Sequence, residues 1–256
     1  MQFKVPHHGA ANPFKREQKL FSVDSPKAIK AGEFGWLNGI HYMAPHTLSG
    51  VNLCPQSTAG CRALCLGEHS GQAGMAKGRA LNSVRLSRRV KARRFMRERV
   101  PYMREFVRQI EGLERKANQK GLKLAIRPNG STDIGFEGVG VERNGVKYRN
   151  VMEAFPQLQF VDYTKNPKRF DRPLPANYSL TFSRSETNEP QCIELLRRGV
   201  NVAVVFAGDK PALWHGFAVI DGDKHDLRHL DPKGVVVGLS PKGNKAKKDR
   251  SGFVVR

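Results

Sequence analysis

Three cysteines stand close together in the stretch CPQSTAGCRALC: Cys54, Cys61 and Cys65, with the spacing C-x6-C-x3-C. Cys61 and Cys65 are four residues apart, so both thiols lie on one face if the end of this loop turns helical. The intervening PQSTAG is flexible enough to bring Cys54 round to them. Three convergent thiolates repel one another in a partly dry site unless a cation lies between them. The spacing therefore predicts a metal centre.

Two kinds of centre fit these cysteines. An iron–sulfur cluster takes cysteine thiolates readily, and three of them suit either a three-iron cluster, [3Fe-4S], or a four-iron cluster, [4Fe-4S], with one iron left open. Zinc is the alternative, with His69 completing a Cys3His site. A third interpretation is three unrelated cysteines, one of them packed in the core. Cys192, the fourth cysteine, lies on an apolar helical face, which favours a core position over a distant ligand.

Polar residues follow the apolar runs of the second half of the chain. These runs are short and rich in Val, Phe and Ile, which is typical of buried strands. They read LKLAIRP, LQFVDYT, YSLTFSRS, VNVAVVFAG, GFAVIDGD and GVVVGLSPKG. If the strands are parallel, the residues at their carboxyl ends meet at one mouth. We expect Asp133, Lys165 and Glu186 there in acid–base or binding roles, although turns are rich in such residues for purely structural reasons.

The elements that must position these groups are strands alternating with helices or loops. GWLNGIHYMAP is predicted to form the first strand, ahead of the cysteine loop, and residues 75–120 are helical in character, with Pro101 dividing them into two helices. NEPQCIELLRRG is predicted to form a further short helix. This order favours an α/β fold with mostly parallel strands, built as a (β/α) barrel or a partial barrel. Because the last strands follow one another closely, some crossovers are expected to be loops.

The local composition of the sequence predicts the domain organisation. Residues 1–32 mix Pro, Gly, His and Lys without a steady period and are predicted to form an irregular N-terminal arm. Residues 33–256 are predicted to form a single barrel-like, metal-binding domain. Hydrophobic residues at 39% and charged residues at 26% are ordinary for a globular protein and exclude disorder throughout.

The charge of the chain is strongly positive. Forty-four Lys and Arg against 23 Asp and Glu give a formal net charge of +21, which suggests a polyanionic partner such as DNA or RNA. Lys and Arg are concentrated in residues 77–99, KGRALNSVRLSRRVKARRFMRER. The residues predicted to contact phosphate are Arg85, Arg88, Arg89, Arg93 and Arg94; a solvated helix face is the alternative. No helix-turn-helix, zinc-knuckle or RNP signature is present, so base-specific reading is not indicated.

The N-terminal residues lack the apolar run of a signal peptide, and no later stretch approaches the length of a membrane span. We therefore expect a cytoplasmic protein with no membrane partner. Thiols stay reduced in that compartment, so clustered cysteines favour metal binding or catalysis over disulfides.

A succession of motifs resembles a known family. GIHYMAPHTLSGVNLCPQSTAGCRALCLGEHSG is followed by RPNGSTDI, FVDYTKNP, LTFSRSE, NVAVVF, VIDGDKHDLRHLDP and VVGLSPKG. In this order they resemble the bacteriophage proteins of the gene product 88 family, over residue 20 to the C-terminus. The resemblance implies a phage protein that acts in the bacterial cytoplasm, and it implies no defined activity.

The chain is also loosely similar to radical S-adenosylmethionine enzymes. They too carry three cluster cysteines on a loop after the first strand of a partial barrel. The spacing here differs from their C-x3-C-x2-C, and no glycine-rich nucleotide motif follows the second strand.

The leading functional hypothesis is a phage iron–sulfur protein with a polar site at the barrel mouth, an enzyme or redox protein acting on or near nucleic acid. The first alternative is a non-catalytic nucleic-acid-binding protein with a structural Cys3His zinc site. The second is an enzyme of the radical S-adenosylmethionine type. The substrate is not predicted.

Overall fold

A computed structural model describes residues 18–69, 71–75 and 80–256. Residues 1–17 of the predicted arm and residues 76–79 of the basic stretch lie outside the described residues. The strands are β1 Phe21–Ser22, β2 Trp36–His41, β3 Lys123–Arg127, β4 Val141–Arg143, β5 Val146–Tyr148, β6 Gln159–Thr164, β7 Tyr178–Ser183, β8 Val202–Val205, β9 Leu213–Trp214, β10 Phe217–Asp221 and β11 Val236–Leu239. The helices are α1 Pro26–Lys30, α2 Ala59–Ala63, α3 Leu66–His69, α4 Gly71–Gly74, α5 Ser83–Arg97, α6 Arg99–Gln119, α7 Val151–Ala154, α8 Glu189–Arg197 and α9 Gly243–Lys247.

One large sheet organises the fold. Within the described ranges it has nine strands in the order β1-β2-β3-β6-β7-β8-β11-β10-β9. The strands from β2 to β10 run parallel, and only the edge strands β1 and β9 are antiparallel to their neighbours. The six apolar runs predicted as strands are β3, β6, β7, β8, β10 and β11, which confirms an α/β fold with a mostly parallel sheet.

The predicted barrel does not close. No ladder joins β1 to β9 among the described residues, and two-residue antiparallel strands end the sheet on both sides. The order of strands also reverses near one edge, because β11 inserts between β8 and β10. Because both outermost strands are antiparallel to their neighbours, the sheet has no free parallel edge at which its two ends could pair and close a barrel.

The long helices divide at a different residue from the one predicted. α5 ends at Arg97 and α6 begins at Arg99, so Pro101 lies in the first turn of α6. Proline is tolerated there because the amide hydrogen it lacks would have no partner inside the helix. α6 ends before Gly121, which takes a φ of +64°.

The main core lies between α6 and one face of the sheet. Tyr102, Phe106 and Ile110 of α6 are fully buried at helical spacing and pack with Leu124 and Ile126 of β3. Alternate residues of each strand face the other side of the sheet. Residues 18–32, the described part of the predicted arm, contain β1 and α1 and also pack on the sheet.

A buried histidine ends β2 just before the cysteine segment. His41 Nδ1 donates to the carbonyl oxygen of Pro128 at 2.8 Å, so Nε2 is the acceptor and takes the hydroxyl of Tyr102 at 2.6 Å. Burial lowers the pKa of His41 to about 3, with the positive charge of Lys91 acting in the same direction. The imidazole is therefore neutral and structural.

None of the described helices combines the length and the apolar character needed to cross a membrane.

Candidate cysteine site

The predicted cysteines meet at the carboxyl ends of the parallel strands. Cys54, Cys61 and Cys65 line one cavity of about 120 Å³. The rest of its wall comes from the ends of β3, β6 and β7 and the segments that follow them, and includes Ser131, Thr132, Asp133, Tyr163, Thr164, Lys165 and Ser183. Because parallel strands end at one edge, these residues share one mouth although they are far apart in sequence. We call this cavity the cysteine pocket.

Each cysteine is held by its own local structure. Cys54 lies in the irregular connection after β2, where its backbone N–H donates to Asn52 Oδ1 at 3.0 Å. Its sulfur accepts from the backbone N–H of His46 at 3.3 Å. Cys61 lies in α2, and Cys65 lies between α2 and α3. The cysteine segment was predicted to follow the first strand of the chain. It follows β2, which is the second strand because β1 precedes it.

Glu186 holds the start of α2. Its Oε1 accepts from the backbone N–H of Gly60 at 2.7 Å, and its Oε2 accepts from the Thr58 hydroxyl at 2.8 Å. Thr58 Oγ1 in turn accepts from the backbone N–H of Cys61 at 3.2 Å. A Cβ at Gly60 would come within 2.7 Å of Ser251 Oγ and 2.8 Å of Glu186 Oε2, so a side chain there would displace both groups. Glu186 lies outside the lining of the pocket, where its hydrogen bonds position the start of α2; its catalytic role stays a prediction.

Cys54 and Cys65 lie in surroundings that favour the neutral thiol. Burial raises the pKa of Cys54 to about 12, and the neighbouring Cys65, Asp133 and Cys61 raise it further against the hydrogen bond from His46. Burial likewise raises the pKa of Cys65 to about 11, together with the charge of Cys61. Metal binding requires the thiolates, so a cation in the pocket would have to reverse this preference.

Asp133 and Lys165, predicted as catalytic, both line the pocket. Asp133 Oδ1 accepts from the Thr164 hydroxyl at 2.7 Å and from Arg169 Nη1 at 3.2 Å, and its Oδ2 accepts from the backbone N–H of Lys165 at 2.8 Å. The Asp133 carboxylate therefore holds together residues of the pocket wall. Lys165 Nζ donates to the Ser183 hydroxyl at 2.7 Å and presents a cation to the pocket.

A family comparison agrees with the motifs. The family model described as Gene product 88 matches residues 14–256. The chain belongs to the gene product 88 family. No curated protein and no solved structure matches it. The family description carries no activity, so the function of this gene product 88 protein has to be argued from the pocket.

A charged network lies beneath the pocket of this family member. Arg169 donates to both oxygens of Glu137, at 2.8 and 2.7 Å, and to Tyr178 Oη at 2.8 Å. Fully buried Asp162 accepts from Asn129 Nδ2 at 2.6 Å, and burial raises its pKa to about 6 against the charges of nearby arginines. Sequence reasoning did not single out Arg169, because an arginine in a polar turn carries no periodic signal.

The zinc alternative placed His69 with the cysteines. In the structure His69 Nε2 lies 3.4 Å from Lys245 Nζ and 4.0 Å from Glu68 Oε2, outside the pocket lining. His46 is the histidine of the lining. Across the described ranges, no three His, Cys, Asp or Glu side chains are grouped to hold one metal ion. Cys192 is fully buried against Leu195 and Leu196, in the predicted core position.

Four of the five arginines predicted to contact nucleic acid make hydrogen bonds or ion pairs within the chain. Arg85 is buried and donates to the carbonyl oxygens of Ala73, Ala80 and Glu68. The carbonyl oxygen of Gly67 accepts from Arg88, that of Ser49 accepts from Arg93, and Arg94 pairs with Glu105 at 2.7 Å. Arg85 is buried and therefore not available to phosphate, whereas Arg88 and Arg94 are half-buried and Arg93 is exposed, so contact of these three with nucleic acid stays a prediction. Arg89 is half-buried on the same helix.

Proposed function

We propose that the cysteine pocket holds an iron–sulfur cluster ligated by Cys54, Cys61 and Cys65, and that the protein is a cluster-dependent enzyme or redox protein. One observation carries the proposal: these three thiols, from three separate local structures, line a single cavity at the carboxyl edge of a parallel sheet. Active sites of barrel-like α/β enzymes lie at this edge.

The chemistry of the donor set fits a cluster. The three strongest candidate donors are cysteine sulfurs, the usual ligands of iron–sulfur clusters. A cluster distributes its cysteines over different iron atoms, so the sulfurs do not have to surround one point. A zinc ion draws four ligands to within about 2.0 to 2.3 Å of a single centre. His69, the fourth ligand of the zinc alternative, lies outside the pocket lining, which favours the cluster over the Cys3His zinc site.

The cluster would supply electron transfer, or Lewis acidity at an iron without a protein ligand. The residues around it have separate tasks. Lys165 would bind an anionic group of a substrate or donate a proton, with the Ser183 hydroxyl fixing its direction. Asp133 would hold the backbone of Lys165, and Glu186 would hold the helix of Cys61. The bacterial cytoplasm, which keeps thiols reduced, suits such a site.

Anaerobic purification tests the proposal directly. Iron, acid-labile sulfide and zinc are measured on the full chain, together with a visible absorption spectrum. We expect a brown protein that contains iron and sulfide, and the variants Cys54→Ser, Cys61→Ser and Cys65→Ser should lose most of both. Cys192→Ser is the matched control, because its sulfur lies in the core, and it should keep its iron.

The other outcomes are also informative. A folded, colourless protein without metal would sink the proposal, and zinc without sulfide would replace it with the structural zinc site. S-adenosylmethionine added to the anaerobic protein tests the radical interpretation, which predicts tight binding. A role on or near nucleic acid stays a prediction, tested by retardation of labelled duplex and single strand at low salt.

A further inference from the structure

A group of buried polar atoms lies on the face of the sheet turned away from α6. Leu124 and Ile126 belong to the main core, so Ala125 between them faces the other way. Asn38 is the register partner of Ala125 on β2, and it shares this second face with Trp36, two residues before it. We call this surface the Asn38 face.

Asn38 is fully buried, and neither atom of its amide has a hydrogen-bond partner in the described part of the chain. Nearby, the hydroxyl of Tyr163 and both ring nitrogens of His229 are buried and likewise without a partner among the described residues. Buried polar side-chain atoms nearly always have a hydrogen-bond partner. Several unpaired atoms in one place therefore indicate a ligand that forms hydrogen bonds with them when it binds.

The segment of residues 224–231 covers the Asn38 face. Leu227 packs against Ala31 and Ala125, and a 3-10 helix at Arg228–Leu230 places the His229 ring edge-on to Trp36, with the ring centres 4.4 Å apart. The segment is fastened at both ends. Asp223 accepts from Lys242 Nζ at 2.8 Å, and the carbonyl oxygen of Pro232 accepts from Asn201 Nδ2 at 2.7 Å. The His229 side chain lies between these attachments and is itself half-buried.

The charged groups here form ion pairs. Arg127 pairs with Asp226 at 3.2 Å, and Arg228 pairs with Asp231 at 3.2 Å. Arg228 Nε and Nη1 and Asp231 Oδ2 also lack a hydrogen-bond partner among the described residues, but they belong to such a pair. Asn38, Tyr163 and His229 are the uncharged side chains of this face that lack partners. A carboxamide presents a donor beside an acceptor in one plane, which is complementary to the edge of a nucleobase. An aromatic ring two residues away on the same strand face offers a stacking surface for that base.

We propose that the Asn38 face is a nucleobase-binding site, in which a planar base stacks on Trp36 in place of the His229 ring and pairs its edge with the Asn38 amide. Trp36 also borders a cavity of about 630 Å³ at the amino ends of β2, β3 and β6. Lys123, whose ammonium lies 5.6 Å from the Trp36 ring centre, adds a positive charge suited to the phosphate of a nucleotide. This site does not depend on the cysteine pocket holding a cluster.

The test begins with the four nucleoside monophosphates titrated by calorimetry against the full chain, as purified and after metal removal. We expect binding of at least one of them in both preparations. Asn38→Leu, which keeps the shape of the side chain, should weaken that binding about tenfold or more. His229→Ala should tighten it, because the variant clears the ring from Trp36. A wild type that binds no nucleotide, together with a His229→Ala variant that binds none, would overturn the site.

A second measurement separates folding from binding. Asn129, which follows the carboxyl end of β3, is also buried, but its side chain makes hydrogen bonds to Asp162, Thr132 and both backbone groups of Ile134. Asn129→Leu should lower the urea midpoint clearly, whereas Asn38→Leu should leave it unchanged or raise it. Equal destabilisation by the two variants would show that the Asn38 amide is paired inside the fold and would refute the proposal. Nicotinamide bound in preference to all four nucleotides would refute the nucleobase assignment.

Discussion

Replacing Glu186 by alanine separates a positioning role from a catalytic one. The Glu186 carboxylate holds two donors at the start of α2, the Thr58 hydroxyl at 2.8 Å and the Gly60 N–H at 2.7 Å. Gly60 is buried, so water can replace only part of what its N–H loses. Cys61 follows directly and depends on Thr58 for its own backbone hydrogen bond. The substitution should therefore loosen the segment that carries Cys61.

The magnitude follows from these two contacts. A hydrogen bond to a charged group contributes about 1.5 to 3 kcal/mol when buried. Glu186 is half-buried, and the Thr58 hydroxyl can turn to solvent, so we discount the pair to about 2 kcal/mol of the free energy of unfolding. Glu189→Ala is the matched control. Its carboxylate pairs with Arg184 at 2.8 Å near the surface, where such a pair contributes about 1 kcal/mol or less.

Two assays check the prediction. Urea unfolding followed by circular dichroism measures the stability of both variants against the wild type. Alkylation of the metal-free protein with N-ethylmaleimide, followed by peptide mass spectrometry, measures the rate at Cys61 with Cys192 as the internal reference. We expect faster modification of Cys61 in Glu186→Ala only. Unchanged stability and an unchanged rate at Cys61, with loss of any substrate reaction, would refute the positioning role.

Two further predictions concern buried charges. Arg85→Met should lower the free energy of unfolding by about 2 kcal/mol, because three backbone carbonyl oxygens, of which that of Ala73 is buried, lose their donor, whereas Arg89→Met should change it by about 0.5 kcal/mol or less in the same urea assay. Asp162 has a pKa of about 6 in the folded protein against 3.8 as the ordinary value, so the folded state holds a proton that the unfolded chain releases between these values. Its contribution to stability should therefore be present below pH 4 and be lost as the pH rises to 6. Asp231, whose pKa burial also raises to about 6, acts in the same direction, so Asp162→Asn should reduce this slope in unfolding curves taken from pH 4 to 7. His41, with its pKa lowered to about 3, acts in the opposite direction between pH 3 and 6.5, and identical pH profiles for the wild type and Asp162→Asn would contradict the assignment.

Local patterns predicted the elements well. Short Val-rich runs bounded by turn residues became β6, β8 and β11, and the apolar spacing of Tyr102, Phe106 and Ile110 became the buried face of α6. The convergence of the cysteines with Asp133 and Lys165 was also predictable, because parallel strands end at one edge.

Long-range order was not predictable in the same way. The insertion of β11 between β8 and β10 depends on pairing between distant segments, and no periodicity encodes it. Glu186 and Arg85 show the same limit for side chains. In a sequence, a glutamate suggests catalysis and an arginine suggests surface charge. In the structure, Glu186 accepts a hydrogen bond from the backbone of Gly60, and Arg85 donates one to the backbone of Ala73. Only the contacts in the three-dimensional structure distinguish a charged side chain that binds a ligand from one that stabilises the fold.

The margins of the sheet bear on how molecules of this protein meet. β1 and β9 are each two residues long and run against their neighbours. An incoming extended chain needs a longer row of unpaired amides and carbonyls to add itself as a further strand. Edge strands this short should therefore not pair with the edge strands of other copies at high protein concentration.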